Sequence, residues 1–341
     1  MLILIFSQSS CNSIAWYEKI IFGYFDTQIT ISSYMKSQDE FINLCEKAES
    51  EFSKYHKLFD HYNNYEGTNN IKSINDAAGL YPVKVSSEII ELIEFSKAWH
   101  KNSGGQLNIA FGPVLEIWHS YREASDILEE YNRLPTMPSL TAASEHINIE
   151  GITLDKEKST VYLNDKNMSL DTGAVAKGFA CQKVKEYLNN SGYNSFIINA
   201  GGNAVTSGAP LNGNGHWVIG IQAPDNFDNG NEAGGILDAV YLTDKSAVTS
   251  GDYQRYFTSG GVRYHHIIDP KTLMPANYYR SVTVIADSSG VADALSTSCF
   301  LLPLDRALSL IENTPGADAV FVMANNTITY SSGFSAYLQQ N

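Results

Sequence analysis

Residues 24–35, YFDTQITISSYM, alternate apolar and polar side chains and predict a first strand. The period then changes. SQDEFINLCEKAESEFSKYHKLFDHY carries apolar residues at helical spacing, with acidic residues near its start, and predicts a long helix. NNYEGTNN interrupts it as a turn and leads through IKSIN to a short proline-bearing stretch. SSEIIELIEFSKAWHKNSGG predicts a second amphipathic helix, capped by Ser87 and ended by Gly104 and Gly105. ASDILEEYNRLPTMPS starts as another helix that its prolines break. Residues 147–170 read as a hairpin, INIEGITLD followed by TVYLNDKNMSLD.

Strand patterns continue in FIINAGGNAVTSG, HWVIGIQAP, AVYLTDKSAVTSG and YHHIIDP. SVTVIAD runs into a helix, VADALSTSCFLLP, and ADAVFVMANNTITYSSGF closes the chain as a hairpin. Helices and adjacent hairpins are mixed, which predicts α+β: mixed, largely antiparallel sheets packed with helices. No repeat or linker divides the chain, so one domain over residues 22–338 is expected, with residues 1–21 as a separate N-terminal segment. NFDNGNEAGG, residues 226–235, reads as a surface loop.

Composition narrows the function. With 341 residues the chain is long enough for a substantial core, and 43% hydrophobic with 18% charged residues is globular. A net charge of −14 argues against a nucleic-acid binder, but a small anionic ligand can still be neutralised locally. Cys11, Cys45, Cys181 and Cys299 lie far apart without zinc spacing and read as core or unpaired thiols. The apolar start MLILIF is too short to span a bilayer. Small residues before Cys11 look like the end of a bacterial lipoprotein signal; a plain disordered terminus is the other reading.

Chemistry concentrates in three places. In SLDTGAVAKGFACQKVKEYL, residues 169–188, Asp171 ends an apolar strand and a helix starts at about Ala174. Free amides at such a corner attract phosphate or carboxylate, although Asp171 could equally be a helix cap and Lys177 a solvated lysine. The Walker pattern fails, because Lys177 precedes its glycine and no Ser or Thr follows. In VADALSTS, Asp293 and Thr297 are four apart on one helix face, oxygen donors suited to Mg²⁺; a dipole-favoured Asp is the plain alternative. In VTSGDYQRYFTSGGVRYHHIIDPKTLMPA, adjacent His265 and His266 face opposite sides of a strand, so only one can point into a site.

In order along the chain, LDTGAVAKGFA, INAGGNAVTSG, VTSGDYQRYF, HHIIDPKT and SVTVIADSSGVADALSTSCF resemble the ApbE-type FAD:protein FMN transferase family. FDTQITI, LFDHYNNY and GGQLNIAFGPVLEIW extend the resemblance over roughly residues 22–335. It implies that FAD is the substrate, contacted by Phe25, Tyr62, Gln106, Leu107, Asn108, Asp171, Lys177 and Ile268, with Tyr65 an alternative to Tyr62. It also implies that the Ala174 carbonyl joins Asp293 and Thr297 around Mg²⁺. Some positions depart from the family pattern: Phe25 stands in the place of a family methionine, Asn108 where an Asp is common, Leu273 where glycine is usual, and the Lys177 position varies in kind.

The implied reaction attaches FMN from FAD to a Thr or Ser hydroxyl of an acceptor flavoprotein and releases AMP. His266 is the candidate proton acceptor, ahead of Asp269 and His265. An FAD pyrophosphatase and a flavin-binding protein without chemistry are the competing readings. A flavin dehydrogenase is disfavoured, because no GxGxxG follows a strand. By resemblance, acceptors are subunits of membrane redox complexes or secreted electron-transfer proteins. The enzyme would then work in the bacterial cell envelope, lipid-anchored at Cys11.

Overall fold

The eight residues Tyr279–Ala286 explain the architecture. Val282, Val284 and Ala286 enter one apolar core while Ile285 enters another, so this strand is buried on both faces and needs a layer on each side. The computed structural model describes residues 14–127, 133–224 and 235–338. Ala15–Tyr24 (β1) and Thr27–Met35 (β2) form a hairpin that leads into Gln38–Phe59 (α1) and Ile71–Asp76 (α2). Val83–Lys84 (β3), Ser87–Asn102 (α3), Gly112–Ile127 (α4) and Met137–Ser144 (α5) precede a hairpin of Ile152–Asp155 (β4) and Thr160–Leu163 (β5). Ala176–Asn190 (α6) is followed by Phe196–Ala200 (β6), Asn203–Ser207 (β7), Trp217–Gln222 (β8) and Ile236–Leu242 (β9). Then come Ser246–Gly251 (β10), Tyr256–Ser259 (β11), Val262–His265 (β12) and the central Tyr279–Ala286 (β13). Ser289–Phe300 (α7), Leu304–Glu312 (α8), Asp318–Met323 (β14) and Ile328–Tyr330 (β15) complete the order.

The α+β expectation holds. Eight strands form one antiparallel sheet in the order β1-β2-β6-β7-β10-β13-β14-β15. Helices α1, α6 and α7 cover one face through the main core, and the β8–β9 hairpin covers the other around Val240, Leu242 and Phe334. A third apolar cluster, with Phe111, Val114, Trp118, Phe257, Ile268 and Leu273, packs α4 against the β11–β12 hairpin. This cluster supports the loop that carries His266.

Several local expectations change. β1 begins at Ala15, so the boundary drawn at residue 22 falls inside a strand; apolar residues on both its faces (Tyr17 and Ile21, Trp16 and Ile20) obscure a period of two. Ser86, not Ser87, is the N-cap residue of α3, and its hydroxyl makes no cap bond. α4 starts at Gly112 rather than near residue 124, since Pro113 fits a first helical turn. Residues 168–171 form no strand, and the 147–170 hairpin shortens to β4 and β5. The strand through YHHIIDP stops at His265. Cys11 and residues 226–234 lie outside the described residues. Cys45, Cys181 and Cys299 are buried free thiols, as expected.

Candidate active site

The corner at residues 171–178 starts from a diverted hydrogen bond. α6 begins at Ala176 with Val175 as its N-cap, two residues later than the pattern suggested, because residues 173–175 form a turn. In a regular helix the Gly178 N–H would be directed to the Ala174 carbonyl four residues back. It donates instead to Asp293 Oδ2 on α7, at 2.7 Å, and so leaves the Ala174 carbonyl without that bond. A buried carboxylate needs such donors. Lys177 supplies opposite charge, with Nζ 3.7 Å from Asp293 Oδ1 and 2.7 Å from Asn203 Oδ1 on β7. Lys177 is therefore not the solvated lysine of the plain reading. Thr297, one turn beyond Asp293, lies 3.5 Å from Ser250 Oγ on β10, and Ser250 also meets Ser296 at 2.9 Å.

Glycine is required at 178. A Cβ there would lie 2.4 Å from Asp293 Cβ and 2.5 Å from the Ser289 carbonyl oxygen, so its absence lets α6 and α7 approach at this point.

Asp171 does not cap α6. Its Oδ1 accepts the Gly173 N–H at 2.8 Å, and Oδ2 is 3.6 Å from His61 Nε2. The Tyr62 ring packs tilted against His61, with centroids 3.9 Å apart, and against His119 of α4 at 5.1 Å. Burial, then the Asp171 carboxylate, pushes the Tyr62 phenol pKa up. The alternative Tyr65 donates to Asp60 Oδ2 at 2.7 Å and contacts His56. Tyr62 is thus the ring beside Asp171, while Tyr65 braces the loop.

Phe25 sits in a two-residue turn between β1 and β2, with φ 54° at Phe25 and 50° at Asp26. This primed hairpin turn ordinarily takes glycine or asparagine, and each such residue costs about 1–2 kcal/mol. His56 Nδ1 accepts the Phe25 N–H at 3.3 Å, and the Arg255 guanidinium donates to the Asp26 carbonyl at 3.1 Å. A strained turn held from two sides fits a ligand contact.

The 106–108 segment is bound mainly to its own protein. Gln106 is buried and donates to the Leu301 carbonyl at the end of α7, while its Oε1 has no partner among the described residues. The Leu107 side chain is in the main core. Asn108 accepts the Ala110 N–H and donates to the Ile147 carbonyl, both at 2.9 Å. That pairing is the hydrogen-bonding role left to a residue without the charge of Asp. Asp171 N–H donates to the Ile109 carbonyl at 2.8 Å, which ties this segment to the corner.

Ile268 is buried in the α4 cluster, so its side chain is core and only its backbone can face a ligand. Asp269 Oδ1 accepts the Lys271 N–H at 2.9 Å in the turn that follows. Leu273, where glycine was expected, does adopt the left-handed conformation, with φ 59°. Its N–H donates to the Asp269 carbonyl at 2.8 Å, and its carbonyl accepts the Trp118 indole N–H at 3.0 Å.

The two histidines separate, but the strand ends at His265, so alternation along a strand is not the reason. His265 is buried; Nδ1 accepts the Ile267 N–H and Nε2 donates to the Ala276 carbonyl at 2.7 Å, a structural role. His266 donates from Nδ1 to the Arg255 carbonyl at 3.1 Å, which leaves Nε2 as the unprotonated nitrogen. Burial, then the Arg255 and His265 charges, lowers the His266 pKa to about 3, so the ring is neutral near pH 7. Both histidines are lowered, so the unfolded chain binds protons that the folded chain refuses. Stability should therefore fall as pH drops from about 6.5 toward 3. Urea unfolding at pH 7, 5 and 4 should show His266→Gln losing less stability over that range than the parent; an equal loss would contradict the assignment.

The corner suits a hard cation. Among the described residues no cluster of three or more His, Cys, Asp or Glu is placed to hold a metal. A cation here would rely on one carboxylate, a hydroxyl, the Ala174 carbonyl, water and substrate oxygens, the oxygen-rich, water-retaining set that Mg²⁺ takes. Sequence reasoning missed His61, His119, Asn203, Ser250 and Arg255. The Asn after the paired glycines in NAGGNAV and the Ser of VTSGD were visible, but their partners were not.

The relatives of this chain are transferases, and that is its class. The chain belongs to the ApbE family, whose model matches residues 25–321. A protein of Klebsiella pneumoniae called FAD:protein FMN transferase is 34% identical over 77% of each chain. One of the same name from Treponema pallidum is 31% identical over 77% of this chain and 73% of its own. Among solved structures, the ApbE protein of Thermotoga maritima superposes with a TM-score of 0.81 at 27% identity, covering 96% of this chain and all of that one. The flavin transferase ApbE of Vibrio cholerae shares the fold with a TM-score of 0.77 at 21% identity, over 95% of this chain and all of its own.

Proposed function

We propose that this protein transfers FMN from FAD to a Ser or Thr hydroxyl of an acceptor flavoprotein and releases AMP. The observation that carries the reading is the buried Asp293 carboxylate, held by Gly178 N–H and faced by Lys177 where two helices meet. Asp293, Thr297 and the Ala174 carbonyl would hold Mg²⁺, which supplies charge neutralisation at the diphosphate. Lys177 adds a cation for a phosphate oxygen, with Asp171, Tyr62 and the Phe25 turn as further FAD contacts. The acceptor hydroxyl oxygen bonds to the FMN-side phosphorus as the phosphorus–oxygen bond to AMP breaks. The hydroxyl proton passes to His266 Nε2, the nitrogen left unprotonated while Nδ1–H donates to the Arg255 carbonyl; charge neutralisation and positioning carry most of the rate.

Incubation with FAD, Mg²⁺ and a candidate acceptor tests this by product. Mass analysis should find an acceptor carrying FMN. Free FMN and AMP would favour the pyrophosphatase reading, and unchanged FAD a binding protein. His266→Ala should slow transfer by about 10²–10⁴-fold; a change of only a few-fold would remove it from the reaction. Work at the cell envelope with a lipid on Cys11 remains part of the proposal and predicts release of the native protein by detergent rather than salt.

A further inference from the structure

Lys177 stands where a metal would need to stand. Its ammonium is 3.7 Å from Asp293 Oδ1, the carboxylate oxygen that Gly178 does not use. The shorter contact is with Asn203 Oδ1, at 2.7 Å. Asn203 is rigidly placed: it is fully buried, opens β7 directly after the Gly201–Gly202 turn, and the Gly202 carbonyl accepts the Thr249 N–H of β10 at 3.1 Å. Its amide can face the lysine in only one way, because the reverse would set two donors against each other. That orientation leaves Asn203 Nδ2 buried without a partner among the described residues. An unpaired donor beside a lysine and a carboxylate is a group prepared for an anionic oxygen.

We propose that Lys177, held by Asn203, is the resident counter-ion of Asp293: its ammonium competes with a divalent cation for the carboxylate, and a substrate phosphate relieves the competition by drawing Lys177 to itself. The proposal rests on the metal and dinucleotide reading given above. A buried carboxylate is costly without a counter-charge, and Lys177 provides one that can move on a flexible stem. An ammonium and a divalent cation on one carboxylate repel each other strongly in a water-poor corner. Displacement of Lys177 therefore couples the two ligands: dinucleotide favours metal and, by linkage, metal favours dinucleotide. Asn203 acts through Lys177 and is a positioning residue.

Calorimetric titration of the full chain with Mg²⁺, with and without FAD, tests this. Without FAD, Lys177→Met should bind Mg²⁺ about tenfold or more tightly than the parent, and the gain from adding FAD should shrink. Asn203→Ala should change Mg²⁺ affinity in the same direction by less, and the double variant should add nothing to Lys177→Met. If the parent binds Mg²⁺ with FAD while Lys177→Met leaves the FAD-free affinity unchanged or lower, the counter-ion role is wrong. Should Lys177→Met fail to fold, Asn203→Ala read against the parent decides the question by the same comparison. If Mg²⁺ binding with FAD survives Asp293→Asn unaltered, the metal reading itself is wrong and the proposal falls with it.

Discussion

Asp293→Ala is expected to lower flavin transfer by at least about 10³-fold, since it removes the only carboxylate among the residues proposed to hold the metal. Stability should fall as well. The Gly178 N–H loses its acceptor at 2.7 Å, and an unpaired buried donor costs about 1–3 kcal/mol. Asp293→Asn separates the two effects, because its amide oxygen can still accept from Gly178 while the charge is gone. It should fold nearly as well as the parent and transfer nearly as poorly as Asp293→Ala. The measurement is the rate of acceptor-bound flavin formation across a Mg²⁺ titration, beside urea unfolding of each variant. An unchanged Mg²⁺ dependence in Asp293→Asn would refute the metal assignment.

Gly178→Ala is expected to destabilise the protein, against what helix propensity alone predicts. In an exposed helix interior, replacing glycine with alanine stabilises by about 1 kcal/mol. Here the new methyl would lie 2.4 Å from Asp293 Cβ and 2.5 Å from the Ser289 carbonyl oxygen, and neither is the free end of a flexible side chain. Forcing two packed helices apart costs about 1–3 kcal/mol, which outweighs the propensity gain. The same displacement moves Asp293 relative to Lys177 and Ala174, so transfer should drop along with stability. Urea unfolding and the transfer rate would check both; a more stable variant with normal transfer would mean that α6 and α7 do not meet as described.

Much of the fold was readable because it is local. The 3.6-residue spacing of α1 and the acidic residues of its first turn, Asp39 and Glu40, need only neighbouring residues to be recognised. FIINAGGNAVTSG does form strand, but as two strands, β6 and β7, with its paired glycines turning the chain between them: Gly201 has φ 53° and a Cβ would meet Thr27 Oγ1 at 2.0 Å. What failed was also local in cause. β1 carries apolar side chains on both faces, so its period is hidden, and α4 opens on a Gly-Pro pair that reads as a break although proline suits a first turn.

From the sequence alone came the class of fold and the Asp293–Thr297 spacing on one helix face. Each follows from the geometry of a single element. Tertiary structure gave the two histidine rings different partners, the Ala276 carbonyl for the buried His265 and the Arg255 carbonyl for His266. It also decided that Gly178 gives its N–H to a carboxylate 115 residues away, and that Lys177 lies between that carboxylate and Asn203. Those partnerships depend on how the sheet brings α6, α7 and β7 together, and no local pattern encodes a distance between segments so far apart in the chain.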